Sequence, residues 1–248
     1  MNKHNTYLNL CTQVYDLSKP HPPEDAYAFY RSYAIEAKGP ILEPMCGTGR
    51  FLLPLLSEGF DIDGFDASEH MLEALKTRSG DLKPNIWQGF AEDLAVAKKY
   101  NFIFIPCGSF GLITDLEIAK LALKKFYDHL NVDGILLFEG ETLKSAPALG
   151  VWRGSSWHKE DGSFIIANYM ANIANDICVA TQKYELVKDN RIISTEVEEM
   201  KIRLYDDPQV LLDILKEIGF KEIKLLKAFD RTMVPGEDDE VIIYECRK

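Results

Sequence analysis

The chain lacks the features that mark membrane-bound, secreted and nucleic-acid-binding proteins. No apolar stretch in its 248 residues approaches the length of a membrane span, and the first residues, Met1 to Thr6, lack the apolar core of a signal peptide. Asp and Glu number 39 against 28 Lys and Arg, so the net charge is −11, and no long basic run is present. Because binding to polyanions depends on clustered Lys and Arg, the sequence predicts a cytoplasmic protein without a nucleic-acid or membrane partner.

Cysteine and histidine are also sparse. The five cysteines are scattered, odd in number and without Cys-x-x-Cys spacing, and the five histidines are dispersed. We therefore expect reduced thiols, with neither a disulfide framework nor a metal site.

What the chain does have is an alternation of short apolar runs and amphipathic segments up to residue 139. This alternation is typical of a parallel sheet covered by helices. The predicted helices are near 24–38, 49–59, 68–78 and 115–130; the predicted strands are 40–44, 61–66, 85–90, 101–105 and 135–139, with a turn at 131–134.

The pattern then changes to strand-like alternation between Trp152 and Tyr205. Turn residues at 161–162 and 189–190 divide this region into three or four antiparallel strands. A helix is predicted from 209 to Ile218, where Gly219 can end it, followed by a final pair of strands at 221–227 and 240–246.

The most informative motif is the glycine-containing turn Glu43-Pro44-Met45-Cys46-Gly47-Thr48-Gly49-Arg50, which follows the first buried strand. Gly47 and Gly49 allow a tight strand-to-helix turn and close approach of a ligand to the main chain. Asp66 ends the next strand, where a carboxylate would lie beside the ribose hydroxyls of a bound nucleoside. The layout predicts a pocket for a nucleoside-bearing cofactor.

Two details separate the cofactors that such a pocket could hold. The third glycine of the dinucleotide fingerprint is replaced by Leu52, and Glu43 precedes the turn. A carboxylate there repels a pyrophosphate and attracts an ammonium group. S-adenosylmethionine (SAM), which carries an α-amino group and a sulfonium but no phosphate, fits better than a dinucleotide.

Three segments together resemble the class I SAM-dependent methyltransferases of the small-molecule type. They are Glu43 to Arg50, then Gly64 to Ser68 with Met71-Leu72, and then Gln88 to Leu94. The resemblance implies an α/β fold with a Rossmann-like, seven-stranded, mostly parallel sheet, helices on both faces and one antiparallel strand. It also implies SAM as the cofactor.

The resemblance further implies roles for individual residues. Glu43 is expected to face the methionyl ammonium, and Asp66 the ribose hydroxyls. Phe90 stands where family members usually carry an acid, so the adenine amino group needs another partner, Glu92 or a main-chain carbonyl. Met45 likewise replaces the first glycine of the commoner pattern. The residues predicted to surround SAM are Glu43, Cys46, Gly47, Gly49, Asp66, Ala67, Met71, Phe90, Ala91 and Cys107.

Two of these residues have alternative interpretations. Met71 could simply fill the core. Pro106-Cys107 is similar to the Pro-Cys nucleophile motif of cytosine-C5 methyltransferases. The acidic chain has no room for a separate base-recognition domain, which disfavours that role for Cys107.

We interpret residues 1–248 as a single methyltransferase domain. Its expected parts are an N-terminal helical cover at 1–38, a SAM-binding core at 39–144 and 206–248, and an antiparallel β insertion at 145–205. The insertion is expected to form a lid over the acceptor pocket; the alternatives are a purely structural role or a homodimer surface.

The predicted function is methyl transfer to a nitrogen or oxygen of a small-molecule acceptor, mainly by proximity and alignment. A general base is needed only if the acceptor must lose a proton, and Tyr15 and His158 are the candidates, with Trp152 and Trp157 as further pocket walls. The alternatives are a SAM-binding or interaction protein without catalysis and, with less support, an NAD-dependent oxidoreductase.

Overall fold

The computed structural model describes residues 6–248, and the first five residues of the predicted N-terminal cover lie outside the described residues. The helices are α1 (Asn9–Ser18), α2 (Glu24–Ala37), α3 (Leu52–Ser57), α4 (Glu69–Arg78), α5 (Leu116–His129) and α6 (Gln209–Ile218). The strands are β1 (Ile41–Pro44), β2 (Ile62–Asp66), β3 (Asn85–Gln88), β4 (Tyr100–Ile105), β5 (Leu130–Glu141), β6 (Arg153–His158), β7 (Phe164–Ala174), β8 (Ile177–Lys188), β9 (Arg191–Arg203), β10 (Glu222–Lys227) and β11 (Val241–Arg247).

Seven strands form the central sheet in the order β10-β11-β5-β4-β1-β2-β3. Strand β11 is antiparallel to both β5 and β10, while β1 to β5 pair in parallel. The sheet confirms the predicted Rossmann-like fold with one antiparallel strand. This order places the carboxyl ends of β1 and β4 side by side at the centre of the sheet, where the strand order changes direction. Sheets of this kind bind ligands at that point.

The two faces of the sheet bury separate apolar clusters, because successive side chains of a strand point to opposite sides. On one face Ile103 and Phe138 pack with residues of α5 and α6. On the other face Phe102 and Leu137 pack with residues of α2 and α3. Helices therefore cover both faces, as the apolar runs of the sequence predicted.

Strand β5 begins earlier than expected. Residues 131–134 were expected to form a turn, but the structure carries β5 through them, from Leu130 to Glu141. Leu130 pairs with Tyr100, and the register shifts before Ile135 pairs with Phe102. The residues expected to form the turn lie in this irregular part of the strand, where Asp133 has the left-handed conformation at φ +60°.

The insertion forms a separate antiparallel sheet in the order β6-β7-β8-β9. The turn between β8 and β9 has Asp189 and Asn190 at φ +50° and +56°, and Asn175 and Asp176 form a similar turn between β7 and β8. Two consecutive left-handed residues are typical of a two-residue hairpin, and Asn and Asp tolerate that conformation.

Within residues 6–248 the structure has no helix that is both long and apolar enough to span a membrane.

Candidate active site

The turn between β1 and α3 is built on three residues with left-handed backbone. Gly47 and Gly49 have φ angles of +54° and +76°, and Met45 has +58°. Met45 thus adopts the conformation that a glycine adopts at low cost, which explains why glycine is commoner at this position. A Cβ on Gly49 would lie 2.8 Å from Leu75 Cγ, so this glycine is also needed for α4 to pack against the turn.

Asp66 is fixed at the end of β2 by main-chain groups on both sides. Its Oδ2 accepts a hydrogen bond of 2.8 Å from the Gly47 amide, and its Oδ1 accepts one of 2.8 Å from the Ser68 amide. Strands β1 and β2 are neighbours in the sheet, which brings the turn and the carboxylate together. The carboxylate is therefore oriented before any ligand arrives.

A cavity of about 180 Å³ opens beside this carboxylate. The residues of its wall are Thr6, Tyr7, Tyr15, Met45, Gly47, Asp66, Ala67, Ser68, Met71, Gly89, Phe90, Ala91, Glu92, Ser109, Leu112 and Ile113.

The cavity brings together six of the ten residues predicted to surround the cofactor. Tyr15, predicted as a candidate near the reaction, also lies in its wall. Glu92, which was named as an alternative partner for adenine, does so too. The six are Gly47, Asp66, Ala67, Met71, Phe90 and Ala91; Glu43, Cys46, Gly49 and Cys107 are not part of the wall.

Glu43 is buried at the end of β1, with 2% of its surface exposed. Its Oε2 atom has no hydrogen-bond partner among the described residues, and burial raises the pKa of its carboxyl, an effect that the nearby Arg50 guanidinium opposes. A buried carboxylate with an unused acceptor suits an ammonium ligand, directly or through water. The residues present thus fit the α-amino end of SAM.

Leu52 fills the position of the third glycine in the dinucleotide fingerprint. Its side chain is fully buried, and a Cβ on Gly64 of β2 would lie 2.4 Å from Leu52 Cδ1. The close approach between α3 and the sheet is therefore made possible by a glycine on the neighbouring strand. This packing differs from that of the dinucleotide fingerprint, in which the glycine lies on the helix.

The ends of β4 and β5 carry a group of charged side chains beside the cofactor cavity. Glu139 is buried; its Oε1 accepts a hydrogen bond of 2.6 Å from Tyr30 Oη, and its Oε2 accepts one of 2.9 Å from the Gly108 amide. Cys107, at φ +62°, contacts the Arg50 guanidinium through its sulfur. Desolvation, and then the Glu139 charge, raise the pKa of the Cys107 thiol to about 11, so it remains a thiol at neutral pH.

Glu141, two residues further along β5, is a candidate that the sequence analysis missed. Its carboxylate packs against Gly108, where a Cβ would lie only 2.5 Å from Glu141 Oε1. Burial and the neighbouring Glu139 raise the pKa of its carboxyl to about 7, and Lys19 acts in the opposite direction. The available signal was its place at the carboxyl end of a central strand, where ligand-binding groups gather.

The aromatic and histidine candidates of the insertion lie outside the cavity wall. His158 is exposed on β6, with its ring 5.3 Å from that of Phe164. Trp152 is 56% exposed, and the Trp157 indole donates a hydrogen bond of 3.0 Å to Ser155. The role predicted for His158 stays a prediction.

Helix α1 is held over the cavity by carboxylates of the insertion. Glu198 on β9 accepts hydrogen bonds from the amides of Tyr7 (2.6 Å) and Leu8 (3.2 Å), and Glu196 accepts one from Leu10 (2.7 Å). Amides at the start of a helix lack partners within the helix and favour negative charge. The insertion therefore positions the segment that contributes Tyr7 and Tyr15 to the cavity wall.

Residues 41–134 match a family model described as a methyltransferase domain. Over these residues the chain is similar to a methyltransferase domain. The match covers the first strand, the glycine turn, Asp66 and the start of β5. Most residues of the cavity wall therefore lie within the matched segment.

Curated relatives are similar to about half of the chain. A putative methyltransferase, YqeM, of Bacillus subtilis is 28% identical over 128 residues, which are 51% of this chain and 52% of that protein. The dTDP-3-amino-3,4,6-trideoxy-α-D-glucopyranose N,N-dimethyltransferase of Streptomyces venezuelae is 29% identical over 133 residues, 51% of this chain and 55% of that protein. The chain matches about half the length of these relatives.

Solved structures extend the similarity of the fold to nearly the whole chain. The S-adenosylmethionine-dependent methyltransferase of Clostridium acetobutylicum superposes with a TM-score of 0.77 at 19% identity, covering 95% of this chain and 96% of that one. The methyltransferase fold therefore includes the insertion as well as the matched core.

Proposed function

We propose that this protein is a SAM-dependent methyltransferase that transfers a methyl group to a small-molecule acceptor. The observation that carries the proposal is the Asp66 carboxylate, which the Gly47 and Ser68 amides hold in the wall of the cavity. SAM, when bound, supplies a methyl group that its sulfonium has already activated.

The chain's own residues fit the three parts of that cofactor. Asp66 would accept the ribose hydroxyls, and Glu43 offers a buried acceptor for the α-amino group. Met71, Phe90 and Ala91 give the adenine an apolar enclosure, with Glu92 as a polar group beside it. These residues bind and orient the cofactor and exclude water.

A nitrogen acceptor is the better supported of the two acceptor atoms. Glu139 and Glu141 lie at the carboxyl end of β5, beside the cavity. Carboxylates there favour a protonated amine over an anionic acceptor. The Streptomyces relative is named for methylation of a sugar amine. We propose an amine of a small molecule as the acceptor, and an amino sugar nucleotide is the first compound to test.

The insertion is proposed to act as the lid of the acceptor site. The contacts from Glu196 and Glu198 to the amides at the start of α1 support this role, because they connect the insertion to the cofactor cavity.

Calorimetry with SAM and S-adenosylhomocysteine tests the cofactor assignment. The Asp66→Ala substitution removes the ribose acceptor and is expected to weaken SAM binding at least tenfold, since charge-assisted hydrogen bonds contribute about 1.5–3 kcal/mol each. Asp81→Ala, which removes an exposed carboxylate after α4, is the matched control and should leave the affinity unchanged. Unchanged affinity in Asp66→Ala would place the ribose elsewhere, and no SAM binding by the wild type would overturn the proposal.

Methyl transfer from labelled SAM identifies the acceptor class. The panel pairs dTDP-3-amino-3,4,6-trideoxy-α-D-glucopyranose with the same sugar nucleotide carrying a hydroxyl, together with simpler primary and secondary amines. We expect label in the amines and not in the hydroxyl compound. SAM binding without transfer to any member would instead favour a non-catalytic SAM-binding protein.

A further inference from the structure

Glu141 differs from Glu139, two residues earlier on β5, in the hydrogen bonds that its carboxylate accepts. Both oxygens of Glu139 accept hydrogen bonds, from Tyr30 and Gly108, which hold that side chain in place. Among the described residues, none donates a hydrogen bond to the Glu141 carboxylate. Glu141 is only partly exposed to solvent, so ionisation of its carboxyl carries a desolvation cost that no hydrogen bond from the described residues offsets.

The groups around Glu141 come from every part of the site. Lys19 follows α1, Glu240 precedes β11, Glu139 lies on β5, and all three act electrostatically on the Glu141 carboxyl. Cys178 of the insertion is near enough for Glu141 to raise the pKa of its thiol. Arg50 and Cys107 in turn act electrostatically on Lys19. Glu141 therefore lies where the helical cover, the central sheet and the insertion converge.

This position borders the cofactor cavity. The Glu141 carboxylate packs on Gly108, and the next residue, Ser109, is in the cavity wall. Tyr15, one turn before Lys19 in the chain, is in the wall as well. Glu141 therefore contacts the loop that supplies Ser109 to the wall, and an acceptor held at this end of the cavity would lie near its carboxylate.

We propose that Glu141 is the proton acceptor of the reaction. In this step an N–H bond of the acceptor's ammonium group breaks, the electron pair stays on nitrogen as the nucleophilic lone pair, and the proton forms an O–H bond with a Glu141 oxygen. Nothing is oxidised or reduced, and the proton later passes to solvent. The inference rests on the proposed function with an amine acceptor.

The first test needs no acceptor. Carboxyl-carbon NMR of the protein labelled with ¹³C-glutamate and saturated with S-adenosylhomocysteine is recorded from pH 4 to pH 9. One resonance, absent from Glu141→Gln, should titrate near pH 7, because burial and Glu139 disfavour ionisation. A Glu141 resonance that titrates at the ordinary carboxyl value would overturn the proposal.

The second test measures methyl transfer to the amines of the panel between pH 5.5 and pH 9. For the wild type, kcat/KM should fall about tenfold per unit below pH 7. Glu141→Gln should lower kcat by roughly 100-fold and lose this dependence, consistent with the usual contribution of a general base. Its affinity for SAM should stay within threefold of the wild type, which excludes general damage to the cavity.

Glu237→Gln is the matched control, since it removes an exposed carboxylate of the same type from the segment before β11 that does not act on Glu141. It should keep the wild-type kcat and the pH dependence. If Glu141→Gln keeps kcat within threefold and retains the acidic limb, the role of Glu141 is excluded while the methyltransferase proposal stands. If the wild type binds SAM but methylates no amine, the acceptor class is wrong and this inference fails with it.

Discussion

Gly49 and Gly59 both have left-handed backbone but differ in what surrounds them. Their φ angles are +76° and +90°. A Cβ on Gly49 would meet Leu75 and Leu53 at 2.8 and 3.0 Å, whereas nothing lies within 4 Å of a Cβ on Gly59. The pair separates the cost of an unfavourable backbone conformation from the cost of a steric clash.

Gly59→Ala is expected to lower the free energy of unfolding by about 1 kcal/mol, from backbone strain alone. Gly49→Ala adds the clash with α4 and should cost about 2–4 kcal/mol in total. Thermal unfolding measures the difference, with about 2–4 °C expected per kcal/mol for a chain of this size. Equal melting temperatures for the two variants would show that α4 yields to the extra methyl group.

Site residues could be predicted from the sequence where a local backbone pattern sets their position. They could not be predicted where long-range side-chain contacts set it. Asp66 and Gly47 are located by a strand end and a turn, and both patterns are local. Glu141 was missed because the groups near it, Gly108 after β4 and Lys19 after α1, come from distant parts of the chain, which no local pattern encodes.

At the scale of elements, α1 is held in place by a distant part of the chain. Glu198 accepts hydrogen bonds from residues about 190 positions earlier, Tyr7 and Leu8, and only 3% of its surface is exposed. The segment was predicted as part of a helical cover, but its bounds depend on these long-range contacts. Strands β1, β4 and β5 were predictable because a parallel sheet covered on both faces gives nearly continuous apolar runs.

Glu198→Gln keeps the shape of the side chain and removes its charge. We expect SAM affinity to fall about three- to tenfold, since weaker charge-assisted bonds to the start of α1 loosen the segment carrying Tyr7 and Tyr15. Hydrogen exchange of residues 7–18 should become faster. Calorimetry and exchange mass spectrometry provide the two measurements.

Glu199→Gln is the control for this variant, because Glu199 is exposed and the adjacent position of a strand points to the opposite face. It should leave both quantities unchanged. Wild-type exchange rates in Glu198→Gln would mean that the other contacts of α1 suffice to hold it.

For the whole molecule, buried carboxyl groups determine how stability depends on pH. Burial raises the pKa of Glu43, Glu139, Glu141 and Glu198. The folded state therefore binds more protons than the unfolded state above the ordinary carboxyl pKa, so the free energy of unfolding falls as the pH rises. Carboxyls with lowered pKa, such as Glu36 and Asp230, lose their stabilising effect only in more acidic solution.

The free energy of unfolding is expected to be greatest near pH 5–6 and to be about 1 kcal/mol lower at pH 8 than at pH 6 from Glu141 alone. Urea denaturation at a series of pH values measures this profile. Glu141→Gln should reduce the difference between pH 6 and pH 8, whereas Glu237→Gln should preserve it. Wild-type stability that increases from pH 6 to pH 8 would contradict the expectation.

Strand β9 touches both ends of the site. Its middle holds the start of α1 through Glu196 and Glu198, and at its end Ile202 and Arg203 pack against Gly111, beside the cavity wall. A single strand thus contacts two separate parts of the cavity wall. If a bound acceptor raises the affinity for SAM by some factor, bound SAM must raise the affinity for the acceptor by the same factor, and calorimetry with each ligand in the presence of the other measures it.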